Sequence, residues 1–190
     1  MIKIIDINHN EALRNAASVI LSGNILVYPT DTLYGFGVDA TNKEAILNLN
    51  TLKERTGPMS VIAANKDMAL SWLDVSNDEL NLAKSVLGGA TTLIAHVKPG
   101  IVHPLILGED QTLGIRIPGN SFSPQLVAEL DAPITTTSVN RFGQSPLQDP
   151  NEIEKVFRND VELIIADGVL QTSKGSQIYK IQKNTLIRIR

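Results

Sequence analysis

The chain has 190 residues, of which 43% are hydrophobic and 19% charged, enough for one domain with a sizeable core and unlike the composition of a disordered or fibrous protein. It has no cysteine, which excludes disulfides, thiolate nucleophiles and cysteine-ligated metal or iron–sulfur centres. A net charge of −3 argues against a globally basic nucleic-acid binder.

No apolar run approaches the roughly 20 residues of a membrane span, and the start, MIKIIDINHNEALR, lacks the apolar core of a secretory signal. The expectation is a cytoplasmic protein of one domain over 1–190, with no membrane association. Charge is uneven along it. From Lys174 to Arg190 every charged side chain is basic. Composition alone reads this as a solvated hairpin; the alternative is a basic wall toward phosphate or tRNA.

In chain order, Ile2 to Ile5 is the first strand candidate. A helix follows from about Glu11 and stops at Gly23. The β-branched run from Ile25 to Tyr28 predicts a buried strand. It leads into YPTDTLYGFGVDA, read as a loop rich in hydroxyls and bare backbone. Thr41-x-x-Glu44 matches a capping box and opens a helix whose Ala45, Ile46, Leu49 and Leu52 share one face. Met59 to Ala63 predicts a strand and Lys66 to Leu73 a helix. Ser76-x-x-Glu79 caps the next helix. Strands are expected at Thr92 to Val97 and Leu113 to Ile117. Ser123-Pro124 and Asp149-Pro150 each place a capping side chain before a proline suited to the first helical turn. Ile134 to Thr136, Leu163 to Ala166, Gln177 to Ile181 and Thr185 to Ile189 complete the strands. The last two have no room for a crossover and are expected to be antiparallel. The pattern implies an α/β or α+β layer fold on one mixed sheet.

Several familiar chemistries do not fit. Gly35-x-Gly37-x-x-Ala40 resembles a dinucleotide fingerprint, but six residues separate it from the preceding strand and Glu54 lies at a helix end. No phosphate-binding Gly-x-x-x-x-Gly-Lys-Ser/Thr occurs. His9, His96 and His103 have no ligand spacing, so no metal site is expected, and none stands near a promising serine. What remains are polar segments at predicted strand ends: PTDTLYG, LKERTGP, TLGIRIP, ITTTSVN with RFGQSP, and KGSQIYK. Strand ends in such folds converge, so these segments can line one crevice. Taken singly, each is also ordinary turn chemistry, and Lys53 and Arg55 could be no more than cations at a helix C-terminus. Arg116, between isoleucines in GIRIP, is harder to treat as surface charge.

The ordered set resembles the YrdC-like family, the L-threonylcarbamoyladenylate synthases. Its Pro-Thr-x-Thr-x-Tyr-Gly-x-Gly, Lys-x-Arg, Arg-x-Pro and Ser-x-Asn-x-x-Gly segments, and its late Ser-Thr position, find counterparts here in that order from Pro29 onward. The resemblance implies a twisted mixed parallel and antiparallel sheet with a concave basic cleft. It also implies a nucleotidyltransferase that converts L-threonine, bicarbonate or CO2 and ATP, with Mg²⁺, into threonylcarbamoyl-AMP and pyrophosphate. That product would feed a threonylcarbamoyl transferase complex acting on tRNA adenosine beside the anticodon, with tRNA or double-stranded RNA as a further partner. By the same resemblance Thr32, Arg116, Thr136 and Ser176 would hold threonine. Lys53, Arg55, Thr112, Ser138, Asn140, Ser145 and Arg188 would hold ATP, with Lys53 and Arg55 stabilising charge during the reaction. Thr30, Tyr34, Gly35 and Gly37 would shape the first loop.

The sequence departs from the family pattern where only Thr56 and Gly57 separate Arg55 from Pro58, so a proline and a further cation that many members carry are missing, and the expectation is triphosphate binding that is weaker or differently supported. Val139 stands where alanine is common, and Gln177 replaces the late threonine. Two other classes are compatible with these residues: an RNA-binding module without catalysis, and a carbamoyl-adenylate enzyme that uses carbamoyl phosphate.

Overall fold

The computed structural model describes residues 3–171 and 175–190, so Ile2 and Lys174, which belong to predicted segments, lie outside the described residues. The strands are β1 (Lys3–Asp6), β2 (Leu26–Pro29), β3 (Tyr34–Gly37), β4 (Ser60–Ile62), β5 (Thr91–His96), β6 (Thr112–Arg116), β7 (Ile134–Ser138), β8 (Leu163–Ala166), β9 (Gln177–Gln182) and β10 (Thr185–Arg188). They join in one mixed sheet in the order β1-β8-β2-β3-β7-β4-β6-β5-β9-β10. The pairs β1/β8, β2/β8, β4/β6 and β5/β9 are parallel, and the rest, including the terminal β9/β10 hairpin, are antiparallel.

The helices are α1 (Ala12–Leu21), α2 (Lys43–Lys53), α3 (Lys66–Trp72), α4 (Asn77–Val86), α5 (Phe122–Leu130) and α6 (Pro150–Phe157). Ser76 and Glu79 form the full capping box at α4, and the Asp149 side chain accepts from Asn151 N ahead of Pro150 in α6. Two predicted caps differ. At α2 it is Asn42 that accepts from Glu44 N and Ala45 N, while the Thr41 hydroxyl donates to Asp39 Oδ1. At α5 the helix begins one residue before Ser123, which is fully buried and donates to Asn120 Oδ1.

The segment read as a loop after β2 is a hairpin. Thr30 to Leu33 forms its turn, and β3 returns antiparallel with Tyr28 opposite Gly35 and Leu26 opposite Gly37. Gly37 is required by its neighbour: a Cβ there would lie 2.6 Å from Cε1 of Tyr28. Its bare backbone makes room for the Tyr28 ring within the sheet.

Alternate residues of β2 enter two cores, as the two-residue period of a strand requires. Val27 joins Phe36, Ile46, Leu49, Leu93, Ile115 and Phe157 on one side of the sheet. Leu26 and Tyr28 join Ile20, Leu126, Ile62, Ile134 and Leu163, under α1 and α5, on the other. This second cluster ends at Ile62 and Ile134. Beyond it, in register, the same face carries Arg116, Thr92 and Ile178 in one row and Thr136, Ser60, Gly114, Ile94 and Lys180 in the next. A face that turns from aliphatic to small and polar cannot hold a helix by apolar burial. It remains concave and open.

Candidate active site

The polar rows floor a cavity of about 350 Å³ lined by Thr30, Thr32, Leu33, Tyr34, Gly35, Ser60, Thr92, Arg116, Thr136, Thr137, Ser138, Pro146, Gly175, Ser176, Ile178 and Arg190. Its wall at β2 and β3 is organised by Thr30. The Thr30 hydroxyl donates to Leu33 O and accepts from Thr32 N and Leu33 N, in the manner of a side chain that mimics a turn. Thr32 Oγ1 lies 3.1 Å from Thr30 Oγ1 and is 6% exposed, a hydroxyl held at the cavity edge. Tyr34 ties this wall to the chain after β8, donating from its hydroxyl to Gly168 O at 2.7 Å and accepting from Asp167 N at 2.8 Å. Burial pushes its phenol up to about 12. On the far side the Thr92 and Ser176 hydroxyls meet at 2.7 Å.

Arg116 stands in the middle. Its Nη2 donates to Asp31 Oδ1 at 2.6 Å, and the other Asp31 oxygen accepts from Gly119 N at 2.8 Å. The side chain of Arg116 is 8% exposed, and its Nε is buried without a hydrogen-bond partner. Burial holds the guanidinium below its ordinary value; Asp31 and Tyr28 act against that, while Arg190 adds to it. A buried cation in the cavity lining with one carboxylate already in place suits a second carboxylate or another oxyanion.

A second depression of about 410 Å³ adjoins the first at Ser60 and is lined by Pro58, Met59, Ile94, Gly108, Glu109, Thr112, Gly114 and Lys180. Gly114 keeps its floor level, because a Cβ there would collide with Ser60 Oγ. The Thr112 hydroxyl donates to Glu109 O.

The family model for Sua5, YciO and YrdC proteins, described as telomere recombination, matches residues 18–190. The chain belongs to this family. Among curated proteins, a relative from Methanocaldococcus jannaschii is 33% identical over 196 residues, covering 100% of this chain and 91% of its own length, and is named a threonylcarbamoyl-AMP synthase as a provisional assignment. The threonylcarbamoyl-AMP synthase of Aliivibrio fischeri is 30% identical over 164 residues, or 82% of this chain and 86% of the relative. Among solved structures, Escherichia coli YciO has a TM-score of 0.88 at 24% identity, covering 100% of this chain and 95% of YciO. Sua5 of P. abyssi in complex with L-threonine has a TM-score of 0.87 at 23% identity and covers 100% of this chain, which spans 57% of the Sua5 chain. At these identities the two structures speak to the fold: an open sheet of mixed parallel and antiparallel strands flanked by helices.

Within this Sua5/YciO/YrdC domain the cavity gathers Thr30, Thr32, Tyr34, Gly35, Arg116, Thr136, Ser138 and Ser176 from the residues singled out in the sequence. Thr112 lies in the adjoining depression. Lys53, expected to face ATP, points inward. It is 2% exposed, and its ammonium donates to Ser138 O, Asn140 O and Asn140 Oδ1 at 2.6, 3.0 and 3.1 Å, 5.5 Å from the Phe36 ring centroid. Burial, with a smaller push from the charge of Arg55, lowers it to about 8.

Asn140 is equally occupied: its oxygen also accepts from Ser138 Oγ, and its amide donates to Arg141 O and Gln144 O. Arg55 closes the short turn by donating from Nη2 to Pro58 O. Ser145 is exposed beside the lining residue Pro146, and Arg188 is exposed on β10; neither lines either depression. The residues that sequence reasoning missed are Asp31, Ser60, Thr92 and Arg190. Asp31 sat inside a segment read for its hydroxyls, while Ser60 and Thr92 become visible only when strand register puts them in rows with Thr136 and Arg116.

Proposed function

We propose that this protein is an L-threonylcarbamoyladenylate synthase. The observation that carries the reading is Arg116: a buried guanidinium in a cavity ringed by hydroxyls, with no histidine, lysine, aspartate or glutamate among the lining residues to turn one of those hydroxyls into a nucleophile. The names of the two curated relatives support it.

Arg116 grips the threonine carboxylate while Asp31 keeps the guanidinium in plane. Thr32, Thr136 and Ser176 supply hydrogen bonds to the polar groups of the amino acid. The threonine amine adds CO2 and loses a proton, giving a carbamate that a water-poor pocket protects from decay. A carbamate oxygen then forms a bond to the α-phosphorus of ATP as the bond to the bridging oxygen breaks, and pyrophosphate leaves with that electron pair. No covalent enzyme intermediate is needed, so catalysis consists of alignment and charge compensation. Mg²⁺ would enter on the triphosphate and offset its charge. No helix among the described residues is long and apolar enough to cross a membrane. A cytoplasmic enzyme that passes its adenylate to a threonylcarbamoyl transferase acting on tRNA fits this chemistry.

The test is pyrophosphate release with each component omitted in turn. All of ATP, Mg²⁺, threonine and bicarbonate are required, and label from bicarbonate resides in the adenylate. Release independent of bicarbonate would mean simple amino acid adenylation. Release driven by carbamoyl phosphate would assign a carbamoyl-adenylate enzyme, and RNA binding without turnover would leave only a binding module.

A further inference from the structure

The segment over 138–146, at and after the end of β7, carries Ser138 and Pro146 into the cavity lining, and its rear is joined to the end of α2. A helix leaves its last carbonyls without intrahelical partners. Here the segment supplies them: Arg141 Nη1 donates to Leu52 O at 3.1 Å, and Phe142 N donates to Lys53 O at 3.2 Å. In the opposite direction the Lys53 ammonium donates to Ser138 O and to both oxygens of Asn140. Gln144 N closes the turn on Arg141 O, with Gly143 at a φ of 76°.

Arg141 does not line the cavity; it reaches away from it, to the connection between α6 and β8. Its Nη2 donates to Asp160 Oδ2 at 3.3 Å, and Glu54 Oε1 lies 3.7 Å from Nη1. Exposed ion pairs of this kind contribute little singly. The guanidinium carbon also sits 5.3 Å from the Phe157 ring centroid, Phe157 meets Phe36 edge to face at 5.1 Å, and the Lys53 ammonium lies 5.5 Å from the Phe36 centroid. Two cations thus close the ends of one aromatic pair, Lys53 from the buried side and Arg141 from the solvent side. The Arg141 side chain is 32% exposed and borders an open depression of about 360 Å³ shared with Asn24, Asn48, Thr51 and Asp160.

We propose that Arg141 is a positioning residue: by holding the 138–146 segment against α2, Asp160 and Phe157, it sets the cavity wall from behind without touching the substrate. The inference rests on the proposed function for its kinetic consequence only. Ser138 and Pro146 move with the segment, and a displacement of about 1 Å in groups that align reactants costs up to about 100-fold in rate.

Arg141→Ala, Arg141→Lys and Asp160→Asn, with Arg158→Gln as a control for nearby surface charge, are compared in two assays. The first follows Lys53 by NMR of lysine labelled at Cε and needs no catalysis. Burial, with a smaller push from Arg55, holds Lys53 at about 8 in the wild type. A released segment admits water, so Lys53 should titrate at higher pH in Arg141→Ala and also in Arg141→Lys, which keeps the charge but reaches Leu52 O or Asp160 rather than both. The second assay is threonine-dependent pyrophosphate release, measured well below the melting temperature of each variant. Arg141→Ala should lose about tenfold or more in kcat/KM for threonine, with Arg141→Lys and Asp160→Asn intermediate and Arg158→Gln equal to wild type. Free guanidinium, far below denaturing concentrations, should enter through the open depression and restore part of the activity in Arg141→Ala alone. If Arg141→Ala fails to fold, Arg141→Lys and Asp160→Asn carry the same comparison. Kinetics within twofold of wild type in the folded variants would overturn the proposal and leave a brace that only raises the melting temperature. A loss in Arg141→Ala that guanidinium does not relieve, and that neither Arg141→Lys nor Asp160→Asn shares, would also overturn it. A Lys53 titration that rises in Arg141→Lys and in Arg141→Ala, and returns with guanidinium in the latter, in a protein that releases no pyrophosphate under any condition, would sink the proposed function and leave the clamp standing.

Discussion

Asp31 and Arg116 are 17% and 8% exposed in their side chains, and each leans on the other. A buried ion pair adds little net stability, but removing one partner strands the other charge in a poorly solvated site. Asp31→Asn should therefore lower the stability of the ligand-free protein by about 3 kcal/mol, read by denaturant titration. A change below about 1 kcal/mol, the scale of an exposed pair, would mean that water reaches Arg116 freely. Arg116→Ala removes the gripping group itself. Threonine binding should weaken by about 2 to 5 kcal/mol, the cost of truncating a buried charged contact, while Mg·ATP binding changes far less. Calorimetry with each ligand separates the two halves of the cleft, and the reverse pattern would exchange their assignments. Arg116 was conspicuous in the sequence because a guanidinium flanked by isoleucines on a strand has few bland explanations. Asp31 was not, since aspartate in a turn is ordinary.

At the scale of elements, most strands were legible because β-branched runs bounded by turn residues have few alternatives. β3 was not. Its YGFG sequence has two glycines, poor strand formers, and their reason for being there is the Tyr28 ring on the neighbouring strand. Gly37→Ala should accordingly cost about 1 to 3 kcal/mol by overpacking, visible as a lower melting temperature. An unchanged melt would mean that the ring swings aside. The inward turn of Lys53 was illegible for a related reason: a lysine ending a helix normally seeks solvent, and the three oxygens that enclose it come from a segment some 85 residues away in sequence. Its lowered value gives a signed test. The folded protein releases this proton near 8, the unfolded chain near 10.5. Between those pH values the unfolded state binds more protons, so stability owed to Lys53 rises with pH. The stability difference between wild type and Lys53→Met should grow from pH 8 to pH 10. A shrinking difference would show that the oxygens hold the ammonium more strongly than burial opposes it.

Over the whole molecule, the sheet brings together segments that are remote in the chain. The fold class and the antiparallel terminal hairpin followed from element order, yet the cleft depends on register: Ser60, Gly114 and Thr136 become neighbours only through the pairings of β4 with β6 and β7. No local pattern encodes such a row, and a single bulge, in which Ile189 N and Arg190 N both donate to Ile178 O, accompanies the turn of Arg190 into the cavity lining. The cavity wall therefore consists of a turn near residue 30, closed on itself by the Thr30 to Leu33 hydrogen bond, and a loop near residue 176, tied to the sheet by the Thr92 to Ser176 hydrogen bond. A ligand that spans the cavity must order both. Hydrogen exchange with increasing threonine and bicarbonate, at saturating Mg·ATP, should show slower exchange at the amides of Thr32 to Gly35 and of Ser176 to Ile178. Both segments should respond with the same midpoint, because one binding event stabilises both walls. Arg116→Ala should move the two midpoints together to higher concentration. Protection confined to one wall, or two midpoints that separate, would mean that the hydroxyls of the hairpin and those of the C-terminal loop serve different ligands, and that the cavity is not one amino acid site.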